Sequence, residues 1–237
     1  MIVRVGVENN PEGRSVAWAL DHPGCFAYGP DGASAVVAMG RAIPRYIQWM
    51  ETHTTEPWFN PVDIDIRLED VWEDYQVDAD MNRTADGLLV NAWYQSDWKP
   101  LAEEEVRRGL LLLEWSRADL LEAFHSLSPE QLDRPIPGER WTIRGILAHV
   151  GTTSWWLMDR LDLAAVPRSQ LPKDVDERAH TQFERMKQVM AELAGVKKVI
   201  GKDGEFWSPR KLLRRAVWHD RDHWGHVCRL AGEGKET

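Results

Sequence analysis

The spacing of hydrophobic residues changes once along this chain, at Pro100, and that change restricts the fold more than any other feature. Before it, apolar residues recur at every second position. "VRVGV" sets Val3, Val5 and Val7 on one side, and "SVAWALD" does the same with Val16, Trp18 and Leu20. In "VDIDIRLED", Val62, Ile64, Ile66 and Leu68 alternate with Asp63, Asp65, Arg67 and Glu69. A period of two belongs to half-buried antiparallel strands with a polar outer face. "DGASAVVAMGRAIPRYIQWMET" interrupts them as a helix from about Ala33, with a bend expected at Pro44. Asn9–Asn10–Pro11–Glu12–Gly13 supplies the turn between the first two strands. The expected order is β-β-β-α-β, a small α+β unit with an antiparallel sheet and one helix.

From Leu101 onward the period is helical. "LAEEEVRRGLLLLEWSRADLLEAFHSLS" opens with acidic residues, which suit the positive end of a helix dipole. Leu110, Leu113, Ala118, Leu121 and Phe124 carry its apolar faces. "SPEQLDRPIPGERW" is a Pro-rich connection. "TIRGILAHVGTTSWWLMDRL" is a second helix with Thr142 as N-cap, and "DVDERAHTQFERMKQVMAELAG" a third, capped by Asp174 and closed by Gly195. "GKDGEFWS" makes a turn. The last helix has Ser208 as N-cap, Pro209 at its first position and Gly232 past its end. Four such helices describe an all-α four-helix bundle. The expected division is an α+β domain over residues 1–80, an extended linker over 81–99, and the bundle over 100–237.

Charge is asymmetric. The chain holds 29 Lys+Arg and 38 Asp+Glu, net −9, and residues 1–99 account for all of the excess with 7 basic and 16 acidic side chains. An acidic first part disfavours nucleic-acid binding and suits either a basic protein partner or a solubilising surface. The apolar runs, Leu110–Leu113 among them, are too short to cross a membrane, and "MIVRVGVENN" lacks the pattern of a signal peptide. Cys25 and Cys228 stand far apart with no C-x-x-C spacing, so the expected setting is a reducing cytoplasm. The G-x-x-x-x-G-K-[ST] phosphate cradle, the G-x-G-x-x-G turn and the G-x-S-x-G nucleophile elbow are absent, so nucleotide and serine-hydrolase chemistry have no support.

"VWHDRDHWGHVCRL" concentrates the chemistry. At about 100° per residue, His219, His223 and His226 fall within roughly 60° of one helix face. His219 and His223, four apart, have the spacing for one shared ion, and a third ligand must come from a neighbouring helix. His149 in "ILAHVGTTSWW" answers that need, flanked by Ile146, Val150 and Thr153 on the same stripe. Three imidazoles leave a position open for water or substrate, as catalytic sites do. The alternative is that each histidine is a hydrogen-bonded core residue. Residues 219–223 also read His-Asp-x-x-His, but Asp220 is one methylene shorter than the Glu of H-E-x-x-H proteases. Asp220 or Asp222 is expected to hold a ligand's second nitrogen, pair with an arginine, or face water. Trp156, Trp218 and Trp224 stand where they can wall a pocket or fill the core. His125 and His180 receive no role.

Two resemblances follow. His22-Pro23-Gly24-Cys25, Tyr28-Gly29 and "ASAVVAMGRAI" resemble the small HicB-type domain, which implies a binding or scaffold unit of the kind found in antitoxins. "RWTIRGILAHVGTTSWWLMDRL" and "WSPRKLLRRAVWHDRDHWGHVCRL" are similar to the second and fourth helices of DinB-like (YfiT-like) metal-binding bundles. That resemblance implies a divalent ion (Zn, Ni or Mn) on His149, His219 and His223. It also implies transferase or isomerase chemistry on a small-molecule substrate with a low-molecular-weight thiol, in a bundle that pairs as a homodimer. A position that is often Gln in the family is His226 here, which becomes a pocket residue, a fourth ligand or a packing replacement. The other expectations are a metal-dependent hydrolase with the same site, and a non-catalytic binding protein acting through its acidic module.

Overall fold

The computed structural model describes residues 1–10, 14–59 and 63–232, which form two compact units. The first comprises Met1–Lys99 and Val199–Arg214, the second Pro100–Lys198 and residues from Arg215 on.

In the first unit, β1 (Ile2–Asn9), β2 (Ser15–Ala19), β3 (Phe26–Gly29), α1 (Gly32–His53) and β4 (Asp65–Glu73) follow the expected order. The sheet runs β3-β2-β1-β4, and it is mixed, not antiparallel, because β4 pairs parallel to β1. The helix is the cause. It carries the chain back so that β4 starts at the same end as β3, and β3, two antiparallel steps from β1, points the same way as β1. Strand β2 is buried at all five positions, so it lacks a polar outer face. On β4 a bulge opposite Val5 and Gly6 breaks the period of two, and Leu68 ends 52% exposed. Val62 and the turn residues 11–13 lie outside the described residues. Asp31 caps α1 by accepting from the Ser34 amide at 2.7 Å, and the helix continues through Pro44. Its Ala35, Met39, Ile43, Tyr46, Ile47 and Met50 form the buried stripe.

Residues 81–99, expected as a linker, belong to this unit. Strands β5 (Tyr75–Val77), β6 (Arg83–Thr84) and β7 (Leu88–Val90) make a small sheet, and Ala92, Tyr94, Ser96 and Asp97 are buried beyond it. The "GKDGEFWS" turn is a hairpin of β8 (Ile200–Lys202) and β9 (Glu205–Trp207), with positive φ at Asp203 and Gly204 as a two-residue Asp-Gly turn requires. Buried ions fasten it. Arg214 pairs with Asp97 at 2.9 Å, Lys211 donates to the Asn91 carbonyl at 3.2 Å, and its ammonium lies 3.4 Å from Glu205. These groups are too far apart in sequence for periodicity to reveal, which is why residues 199–214 were expected in the bundle. Arg214→Ala strands the Asp97 carboxylate in the interior. It is expected to lower stability by about 3–5 kcal/mol in urea unfolding of the full chain. A fragment ending at Lys99 should lack cooperative unfolding for the same reason.

The second unit holds α2 (Glu103–His125), the short α3 (Pro129–Asp133), α4 (Ile143–Asp159), α5 (Val175–Ala191) and α6 (Pro209–Ala231) from Arg215 on. The expected caps are present: Thr142 accepts from Gly145 at 3.1 Å and Asp174 from Glu177 at 2.8 Å. Leu120, Phe124, Ile143, Ile146, Leu147, Val150, Ala179 and Val227 form one core. On α2 the buried stripe is Val106, Gly109, Leu112, Leu113, Ser116, Arg117, Leu120 and Phe124. Of the expected positions Ala118 is exposed, and Leu110 and Leu121 are half-buried. Helices α4 and α5 approach closely at Gly151, where a Cβ would meet the Ala179 amide nitrogen at 2.9 Å and its Cα at 3.0 Å. Gly→Ala inside a helix ordinarily stabilises by about 0.5–1 kcal/mol. Here the sign reverses: Gly151→Ala is expected to cost about 1–3 kcal/mol in a urea titration, because backbone must move. No described helix is long and apolar enough to cross a membrane.

Candidate metal centre

Helix phase sets the centre. His149 stands on α4 between the inward Ile146 and Val150, while His219 and His223 are one turn apart on α6 and buried. One ring nitrogen from each lies within 4.8 Å of the other two. The ring centroids are 4.4–5.1 Å apart, and Nε2 of His219 is 3.1 Å from Nε2 of His149. Imidazole nitrogens at about 2.1 Å from one cation sit roughly 3.0–3.4 Å apart, so the closest pair already has a shared-ligand separation. His226 lies outside the trio. Its ring is 6.1 Å from that of His223, and its Nε2 meets Glu139 at 3.0 Å.

The electrostatics favour the ligand form. Burial, then His219 and Arg140, push His149 down to about 4, and burial with the neighbouring imidazoles pushes His223 down further. Both are therefore neutral at ordinary pH and offer a lone pair. Nδ1 of His223 is buried without a hydrogen-bond partner, a cost of about 1–3 kcal/mol that a ligand bond to that nitrogen would remove. The residues present thus fit a divalent metal. The same shifts predict acid sensitivity. The unfolded chain takes up a proton near pH 6.5, whereas folded His149 does so only near 4. Between these values the unfolded state binds more protons, so stability falls as pH falls. The urea midpoint of metal-free protein should drop across that window, and His149→Gln should flatten the slope.

Behind the trio, Asp220 sits at the convergence of the bundle. Its carboxylate receives Nε and Nη2 of Arg117 at 2.9 and 3.0 Å, and the pair is almost wholly buried. Burial would raise the Asp220 pKa, but the Arg117 charge and hydrogen bonds, together with His219, outweigh it and hold the carboxyl below its ordinary range. Asp220 Oδ1 lies 3.9 Å from His219 Nδ1. Trp141 stacks on His149 with ring centroids 4.6 Å apart and 22° between planes. On the other side a cleft of about 420 Å³ opens, lined by His149, His219, Thr153, Trp155, Trp156 and Trp218 with Arg168 and Arg215. Thr153 Oγ1 is 3.4 Å from His149 Nε2.

Residues 112–227 match the family model of the DinB superfamily. The matched span includes all three histidines, Arg117 and Asp220, and the bundle is DinB-like in fold. A solved structure of YfiT from Bacillus subtilis is also similar, at 19% identity and a TM-score of 0.46, over 58% of this chain and 93% of that one. It is described as a probable metal-dependent hydrolase with an unusual four-helix bundle topology. No curated protein matches the chain.

Within the DinB-like bundle, the structure brings His149, His219 and His223 together and places Thr153 and Trp156 in the cleft beside them. Trp224 packs against the core instead. Sequence reasoning missed Arg117, Trp141, Trp155, Arg168 and Arg215. Arg117 left one clue: a charge in "LLLLEWSRADLLEAF" three residues before the inward Leu120. Trp141 and Arg168 stand in connections, where no periodicity reports direction, whereas Trp155 and Arg215 lie within α4 and α6 away from the apolar stripes that sequence reasoning followed.

Proposed function

We propose that the DinB-like bundle is a metal-dependent hydrolase, with a divalent cation on His149, His219 and His223. The convergence of three imidazoles, two of them, His149 and His219, on the wall of an open cleft, carries this reading. A cation so held would supply Lewis-acid polarisation and would activate water near neutral pH. The chain's own residues do the rest. Trp141 fixes the plane of His149 by stacking, Arg117 and Asp220 hold α6 in place behind His219, and the tryptophan walls keep bulk water from the substrate.

Hydrolysis is preferred to thiol transfer because it needs only the cation and water, whereas transfer needs a second molecule to bring the thiol; nor does either cysteine of the chain line the cleft to act as the nucleophile. Cys228 is buried further along α6 and Cys25 lies in the other unit. The test uses protein stripped with EDTA and reloaded with Zn, Ni or Mn, assayed on ester, amide and phosphoester panels in ¹⁸O-water. Label in the product, with turnover restored only by metal, is expected. Consumption of glutathione, mycothiol or bacillithiol in step with substrate would instead establish the transferase. For the N-terminal unit, the β-β-β-α-β order supports the HicB-like reading, and its acidic excess supports a basic protein partner. Such a partner should elute from immobilised full-length protein as salt rises.

A further inference from the structure

His226 stands near the two ligands of α6 but outside the trio, and the metal centre gives it no task. What it holds is the connection between α3 and α4. Ile136 packs against the bundle core, and the Glu139 amide donates to the Ile136 carbonyl at 3.1 Å, with Gly138 at φ +84°. Pro137 followed by a glycine at positive φ suits a type II turn, which sets the direction in which Glu139 leaves it. The Glu139 carboxylate accepts from Nε2 of His226 at 3.0 Å. Two residues on, Trp141 stacks on His149. The connection is thereby tied to α6 near His223 and to α4 at His149. Gly145 completes the arrangement, one helical turn before His149 on the same face of α4. A Cβ there would meet Cβ of Trp141 at 2.9 Å and its Cγ at 3.5 Å. Glycine forgoes helix stability relative to alanine, and here the missing methyl is the room in which Trp141 lies.

We propose that Gly145, Glu139 and His226 are positioning residues for the metal centre. Together they seat Trp141 on the His149 imidazole, and His226 acts as an anchor on α6, not as a fourth ligand. A ligand ring keeps its orientation only where neighbours pack or bond it. His149 lines an open cleft that Trp141 does not line, so the stacked indole limits rotation of the ring from the opposite side. The turn also couples His149 to α6, which carries the other two histidines. The proposal rests on reading the three histidines as a metal centre, but the seating of Trp141 is measurable without a cation.

The experiment is ¹H–¹³C NMR of the imidazole groups in full-length, histidine-labelled protein stripped with EDTA, with His149 assigned through His149→Gln. Stacked on an indole, the His149 ring protons are expected upfield of an unstacked imidazole. Trp141→Leu should abolish that shift and Trp141→Phe should retain part of it. Gly145→Ala favours the helix but crowds Trp141, so it should lose the shift as well. Glu139→Ala and His226→Ala should each reduce it, and the double variant no further, since both break one bond. Glu139→Gln still accepts from His226 and should preserve it. Cobalt(II) titration then reads the consequence for the centre. Trp141→Leu and Gly145→Ala should weaken cobalt binding by about tenfold and shift the visible absorption of the bound ion. Removal of the anchor should alter that absorption with little change in affinity. An upfield shift that survives Gly145→Ala and both anchor variants would overturn the proposal. Additive losses from Glu139→Ala and His226→Ala would do so too, as would loss of cobalt binding in His226→Ala, the mark of a fourth ligand. Failure of the metal reading looks different: no form takes up cobalt, yet the ring shifts of the stripped protein respond as stated.

Discussion

His219→Ala and His223→Ala are each expected to weaken divalent-cation binding by at least about 100-fold, whereas His226→Ala leaves it nearly unchanged. The asymmetry follows from geometry. His219 and His223 each place a nitrogen within 4.8 Å of the other two donors, while His226 spends its Nε2 on Glu139. Three ligands hold a cation far better than two, so removing one should reduce competition against a chromophoric chelator to background. Thermal stability gives a second readout. A cation present at about 100 times its Kd should stabilise the native protein by roughly 2.7 kcal/mol, and neither variant should show that gain. His223→Leu separates a ligand from a packing residue. In metal-free protein it removes a buried nitrogen without a partner and fills similar volume, so stability should hold or rise. A histidine serving only the core would make the same change destabilising. Full cation uptake by all of the His149, His219 and His223 variants would remove the basis for the enzyme reading.

The centre was legible because its ligands lie on helices, where phase alone fixes direction. His219 and His223 share a face at a spacing of four, and His149 shares the stripe of Ile146 and Val150, so their meeting needed only that two amphipathic faces pack. Local capping chemistry was legible for the same reason, since Thr142 and Asp174 act within three residues of themselves. What escaped was tertiary. The period of two in β4 identifies a strand but not its neighbour, and pairing with β1 in parallel depends on how α1 returns the chain. Asp97 and Arg214 are a matched pair 117 residues apart, which nothing local announces. On α2, a stripe chosen by hydrophobicity alone took Ala118 and passed over Arg117, because a buried ion pair inverts the rule that polar residues face out.

Arg117→Ala is expected to destabilise the bundle by about 3–5 kcal/mol, the largest effect of any single substitution in this unit. Arg117 joins four helices through one guanidinium. From α2 it meets Asp220 on α6, donates Nη1 to the Ala179 carbonyl on α5 at 3.1 Å, and donates Nη2 to Ser154 Oγ on α4 at 3.1 Å. It also lies over the Phe183 ring at 4.4 Å. Truncation leaves a cavity, removes the hydrogen bonds to the Ala179 carbonyl and Ser154 Oγ, and strands the Asp220 carboxylate in the core. Asp220→Ala strands the cation instead and should cost a similar amount. Replacing both with apolar side chains of matched volume, Arg117→Met with Asp220→Leu, should recover most of the loss, because a buried pair contributes little net stability over a well-packed core. Urea unfolding of the two singles and the double measures the coupling, expected at about 2–3 kcal/mol. A strictly additive result would mean the pair does not act as a unit. pH provides an independent check. Asp220 has its pKa held below the usual carboxylate range, so its contribution is present above the unfolded value near 3.9 and is lost as pH falls through the folded value. The double variant should therefore lose less stability than the parent below that point. Cation affinity should fall with the stability of the singles only where unfolding competes with binding, because Asp220 lies 3.9 Å from His219, too far for a direct hydrogen bond to orient the ring.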